Sequence, residues 1–126
     1  MLAPQFEAEL KEQSSDEDFA DRVRGAIQQK LTGRRPTIDA IANALHVSSR
    51  TLQRRLQETG SSFQRVLEEA RRRLARHYLN NSILELNEAA YLLGYEDANS
   101  FVRAFRTWEG VPPARWREEQ RARAVS

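Results

Sequence analysis

Arginine can make two parallel hydrogen bonds to guanine, and glutamine or asparagine two to adenine, when a helix carries them into a major groove. Arg50, Gln53 and Arg54 are spaced to share the free face of one short helix. Asn99, Ser100 and Arg103 are spaced to do the same on another. These six are the candidate base-contacting residues. Ser48, Thr51, Arg55 and Arg106, together with backbone amides at helix starts, are the candidate phosphate contacts. The chemistry this set can perform is recognition, not bond making.

Such residues need short helices with buried opposite faces, and the chain supplies them. In Thr37–Gly60, Ile38, Ile41, Ala42 and Leu45 recur with a helical period of about 3.6 residues. Thr37 suits an N-cap, and Asp39 suits the positive first turn. His46-Val47-Ser48 is too short for anything but a turn. Ser48 or Ser49 can cap the next helix, whose buried stripe is Leu52 and Leu56. This is the pattern of a helix-turn-helix. The plan then recurs over Leu86–Gly110. Leu86, Ala89, Ala90 and Leu93 repeat the first stripe at an offset of 48, and Phe101 and Phe105 repeat Leu52 and Leu56 at an offset of 49. The extra residue falls in the turn. Gly94 is placed as a left-handed helix end, and Asp97 as the cap of the helix that follows. Val102 is apolar where a polar side chain would read a base, so base contacts from the first motif carry more weight.

The segments ALHVSSRTLQRRLQETGSSF (44–63) and AAYLLGYEDANSFVRAFRTWEGVPPARWR (89–117) resemble the DNA-binding domain of AraC/XylS-type bacterial transcription regulators. Ala90, Leu93, Gly94, Tyr95, Ser100, Phe101, Arg103, Phe105, Gly110, Pro113, Trp116 and Arg117 fill that family's signature pattern. The resemblance covers roughly residues 17–120. It departs from the pattern at His46 (usually Gly), Ser49 (often Pro), Ala89 (usually larger) and Pro112 (often Ser). It implies an all-α fold of seven helices, with two helix-turn-helix subdomains joined by a long connector helix. The implied function is sequence-specific binding of double-stranded DNA for transcriptional regulation, with two helices reading successive major-groove turns about 34 Å apart. Residues 1–15 are polar and acidic and read as a linker, in which a short helical segment with Phe6 and Leu10 on one side can form; the resemblance implies that they are the remnant of a preceding effector domain. The isolated domain is then a monomer, and a longer parent would dimerise through the part that precedes it.

The remaining elements follow from spacing. A first helix is predicted from about Glu17 to Leu31, capped by Asp16, with Phe19, Val23, Ile27 and Leu31 as its stripe and Thr32-Gly33 as its stop. A connector helix is predicted from Ser62 to about Leu79, with a capping box at Ser61-x-x-Gln64. Its apolar side is Phe63, Val66, Leu67, Ala70, Leu74 and Tyr78. Arg65, Arg71, Arg72, Arg73 and Arg76 cover much of the rest, with Glu68–Arg72 and Glu69–Arg73 as pairs along the helix. Ile83 and Leu84 are expected beneath the second motif. A last helix should open at Pro113 and reach about Arg121, with Trp116 beside Phe105 and Trp108, and a frayed tail over 122–126. The subdomains are thus 16–60 and 83–121, with the connector at 61–80.

At 126 residues and 40% hydrophobic content the chain can bury a modest core. It has no cysteine, hence no disulfide or thiolate metal site. His46 and His77 have no partner at metal-ligand spacing, so no metal, cofactor or catalytic residue is assigned and no enzyme is expected. No run approaches about 18 apolar residues, so no membrane span is expected, and the cytoplasm is the expected location. The net charge of +2 hides an asymmetry. Residues 1–21 carry seven acids and one base, net −6, which leaves 19 bases and 11 acids, net +8, in 22–126. That basic body suits a phosphate-facing domain. Eighteen of the 20 bases are arginine, which bidentate contacts favour and a GC-rich coding sequence would also produce. Two other readings compete: a basic helical module docking on an acidic protein partner such as an RNA polymerase subunit, and a helical RNA binder. The second lacks exposed stacking aromatics.

Overall fold

The computed structural model describes the backbone of residues 4–31, 34–81 and 83–125, and the side chains of 17–31, 34–80 and 83–125. These residues form seven helices: α1 Pro4–Lys30, α2 Ile38–Ala44, α3 Ser49–Glu58, α4 Phe63–Asn81, α5 Leu86–Leu92, α6 Ala98–Glu109 and α7 Pro113–Val125. They group into two compact units. One comprises the chain up to Ile27 with Thr37–Glu68, and the other comprises Gln28–Pro36 with the chain from Glu69 onward. α1 and α4 each contribute to both.

In the first unit, the Thr37 hydroxyl accepts the Ala40 N–H at 3.1 Å, the expected N-cap of α2. The Ser48 hydroxyl accepts the Thr51 N–H at 3.1 Å and caps α3. The Ser49 hydroxyl donates to the Asp39 carboxylate, tying the starts of α2 and α3 together. Ile41, Ala42, Leu52, Leu56, Phe19, Val23 and Ile27 are buried. The turn between α2 and α3 closes with Val47 N–H donating to Ala42 O at 3.0 Å, a bond spanning six residues that requires a left-handed residue inside it. His46 takes that conformation with φ 60°. A side chain there costs about 1 kcal/mol relative to glycine. His46→Gly should therefore raise the unfolding free energy by roughly 0.5–1 kcal/mol, after allowing for the extra freedom that glycine gives the unfolded chain. Urea titration would show it, and an unchanged midpoint would mean that His46 is not strained.

The second unit repeats this turn. Tyr95 N–H donates to Ala90 O at 3.0 Å, and Gly94 has φ 80°. Its core holds Ala75, Leu79, Ala89, Ala90, Leu93, Phe101 and Phe105, with Trp108 and Trp116 packed against it. Phe105 meets Trp116 at 5.7 Å and Trp108 at 6.4 Å, both edge to face, as expected of a closing aromatic cluster.

Five expectations are corrected. α1 begins at Pro4, so the backbone is already helical across 4–15 and at Asp16; Glu, Ala, Leu, Lys and Gln in that stretch are strong helix formers, and proline is tolerated in a first turn. The cap of α4 is Ser62, whose hydroxyl accepts Arg65 N–H at 3.2 Å, one residue later than Ser61. Ile83 is exposed, because Leu79 and Leu86 already pack on the core at either side of that loop. α7 reaches Val125, because Arg-Ala-Arg-Ala continues a helix well. Arg71 is buried; the inward face of α4 turns from Val66, Leu67 and Ala70 to Arg71, Ala75 and Leu79. The stop at Thr32-Gly33, the side chains of Asp16 and Asn81, and Ser82 lie outside the described residues.

Candidate nucleic-acid interface

Burial of Leu52 and Leu56 decides which way α3 faces. At about 100° per residue, Arg50, Gln53 and Arg54 project away from that stripe, and all three are exposed. Gln57 is exposed on the same side. Arg54 donates to Glu58 Oε1 at 3.1 Å along the helix, which holds its guanidinium toward the C-terminal end of that face. Among the described residues Arg50 has no ion-pair partner. The four phosphate candidates separate. Ser48 Oγ and Thr51 Oγ1 share a hydrogen bond of 2.9 Å, so the two hydroxyls act together at the start of α3. Arg55 stands on the flank of α3 and is half-buried, its guanidinium 4.0 Å from the Phe19 ring centroid. That cation–π stack fixes α3 against α1 and leaves Arg55 less free than the others. Arg106 is exposed on α6.

On α6 the buried pair is Phe101 and Phe105. Asn99, Arg103, Arg106 and Thr107 are exposed, and Ser100 is half-exposed. The Asp97 carboxylate caps the helix by accepting the Ser100 N–H at 2.7 Å. That backbone hydrogen bond, which favours the charged form, holds its carboxyl below the usual carboxylate range. Thr107 Oγ1 donates to Arg103 O at 3.0 Å, so Thr107 turns back to the backbone, and the positive charge of Arg103 acts on Asp97 at the start of the helix. Val102 is half-buried on the flank and takes the place that Gln53 has on α3. The same offset of 49 pairs Gln57 with Arg106. Sequence reasoning named Arg106 and passed over Gln57, although the repeat itself links them.

Among the described residues, no group of three or more His, Cys, Asp and Glu could hold a metal ion, and no helix is long and apolar enough to cross a membrane. Two helix-turn-helix motifs in tandem, each with a second helix that turns Arg, Gln or Asn outward, define the class of this protein. A family model described as a helix-turn-helix domain matches residues 41–119. The chain belongs to the AraC-type helix-turn-helix family of DNA-binding transcription regulators. The ornithine utilization regulator of Pseudomonas aeruginosa is 40% identical over 118 residues, covering 94% of this chain and 34% of that protein. The chain thus spans about a third of the length of the curated relatives it matches. Among solved structures, the DNA-binding domain of AdpA in complex with a target DNA is 27% identical with a TM-score of 0.67, covering 83% of this chain and 94% of that one. The C-terminal domain of AraT, a response regulator from Geobacillus stearothermophilus, is 31% identical with a TM-score of 0.69, covering 80% and 84%.

Proposed function

We propose that this chain reads a bipartite site on double-stranded DNA, one short box per helix-turn-helix, within a subdomain plan of 16–60, 61–80 and 83–121. The observation that carries the reading is the repeated face. On closely matching backbone turns, α3 turns Arg50, Gln53 and Arg54 outward while α6 turns out Asn99 and Arg103. Arg50, Gln53 and Arg54 are the leading base readers. Asn99, Ser100 and Arg103 are the weaker set, since Val102 offers no hydrogen bond. Thr51, Arg106 and the amides at the starts of α3 and α6 hold phosphates, with Ser48 acting together with Thr51, and Arg55 chiefly through the placement of α3. Gln57 joins the α3 face. Base discrimination at such contacts comes from bidentate geometry, and affinity from phosphate neutralisation.

Selection of bound duplexes from a random library, at two salt concentrations, tests this. Two enriched boxes about one helical turn apart are expected. A single box would assign base reading to α3 alone. No enrichment, with binding lost at moderate salt, would overturn the proposal and leave a basic helical module. Arg54→Ala should weaken binding to the selected duplex by about 1–3 kcal/mol and relax preference at one base pair. An equal loss on random DNA would place Arg54 on a phosphate instead.

A further inference from the structure

Glu109 ends α6, and its side chain is 7% exposed although it is a carboxylate. Two arginines of α4 enclose it. Arg76 grips it with both arms of its fork, Nε to Oε1 at 2.5 Å and Nη2 to Oε2 at 2.8 Å. Arg72 Nε donates to the same Oε1 at 2.9 Å. A planar fork on a carboxylate fixes direction as well as distance, which a single lysine would not. The hydrogen bond from Arg76, foremost, holds the Glu109 carboxyl below its usual range, so the clamp is ionised at neutral pH. No such clamp ends α3, where Glu58 pairs instead with Arg54 on the outward face.

We propose that Glu109 is a positioning residue for the second DNA-reading helix. It fixes the C-terminal end of α6 to α4, so that Arg72 and Arg76 serve α6 and not the phosphates. This rests on the bipartite reading above. The clamp acts on the helix and not on its side chains: an α6 held in place loses less freedom on binding, so Asn99 and Arg103 contribute although Val102 on its flank offers no hydrogen bond.

Glu109→Gln keeps the size and one acceptor but removes the charge and turns an amide NH2 toward a guanidinium. Affinity of the 126-residue chain and of this variant would be measured on the selected duplex, on the same duplex with the second box scrambled, and across a salt series. The variant is expected to bind the intact duplex about tenfold more weakly, the scale of one base contact. On the scrambled duplex it should match the parent, with the salt slope unaltered. Tighter binding with a steeper salt slope would overturn the proposal, because the released arginines would then be phosphate ligands that Glu109 had held back. Equal weakening on both duplexes would also overturn it, as a general loss of fold. If the library yields no second box, the bipartite reading fails separately. The clamp is then decided by amide exchange over Ala104–Gly110 without DNA, where unchanged protection in Glu109→Gln would sink it.

Discussion

Gly94→Ala is expected to lower the unfolding free energy by roughly 2–4 kcal/mol, from left-handed strain and overpacking together. Gly94 sits at φ 80°, and a Cβ added there would lie 2.9 Å from Arg34 C and Arg35 N and 3.0 Å from Arg34 O. Those neighbours are backbone atoms, so they cannot rotate aside as a flexible side chain would. The turn after α5 and the segment before α2 therefore meet at a point that admits no side chain. Two internal comparisons separate the causes. Gly60 and Gly110 have φ 79° and 80° with nothing within 4 Å of an added Cβ. Alanine at either should cost only about 1 kcal/mol, the conformational part alone. Thermal unfolding of the three variants would read the difference at on the order of 4 °C per kcal/mol for a domain of this size. If Gly94→Ala falls no further than Gly110→Ala, the close approach to Arg34 and Arg35 carries no energy.

That asymmetry among three turns with nearly the same φ marks where sequence reasoning stops. The turns themselves were legible, because an apolar stripe, a break and a capping residue recur at offsets of 48 and 49. Local patterns of this kind are set within one or two helical turns, and Thr37, Ser48 and Asp97 cap where their types say they should. The outward placement of Arg50, Gln53, Arg54, Asn99 and Arg103 followed from the same stripes. What stayed hidden depends on residues far apart in the chain. Glu109 meets Arg72 and Arg76 across more than 30 positions, and a charge pattern read along α4 pairs Arg72 with Glu68 instead. Hydrophobic periodicity also directs every arginine of α4 to solvent. It has no means of marking a side chain whose stem is buried and whose head finds carbonyls. The spacing of Arg71, Ala75 and Leu79 at every fourth residue was the available signal, and the charge of Arg71 masked it.

Arg71→Ala is expected to cost roughly 3 kcal/mol, far above the half or so that an exposed arginine on the same helix would cost. Arg71 is 6% exposed. Its Nε donates to Leu93 O at 3.0 Å and its Nη2 to Gly94 O at 3.1 Å, while the guanidinium lies 4.2 Å from the Tyr95 ring centroid. Leu93 and Gly94 end α5, where helix carbonyls have no partner of their own. Alanine would remove the donors and leave both carbonyls facing a void. Arg71→Met separates packing from polarity. It restores the stem and fills much of the space, yet still leaves the two carbonyls without a charged donor, so it should recover only the smaller part of the loss. Arg73→Ala, at an exposed position of the same helix, is the reference for removing one positive charge and should stay within about 0.5 kcal/mol of the parent. Urea denaturation of the three variants measures all of this at once. If Arg71→Met is as stable as the parent, the stem holds the turn and the fork is dispensable. If Arg71→Ala matches Arg73→Ala, desolvation of the guanidinium cancels its hydrogen bonds, and the turn between α5 and α6 owes its place to Gly94 and the aromatic core alone.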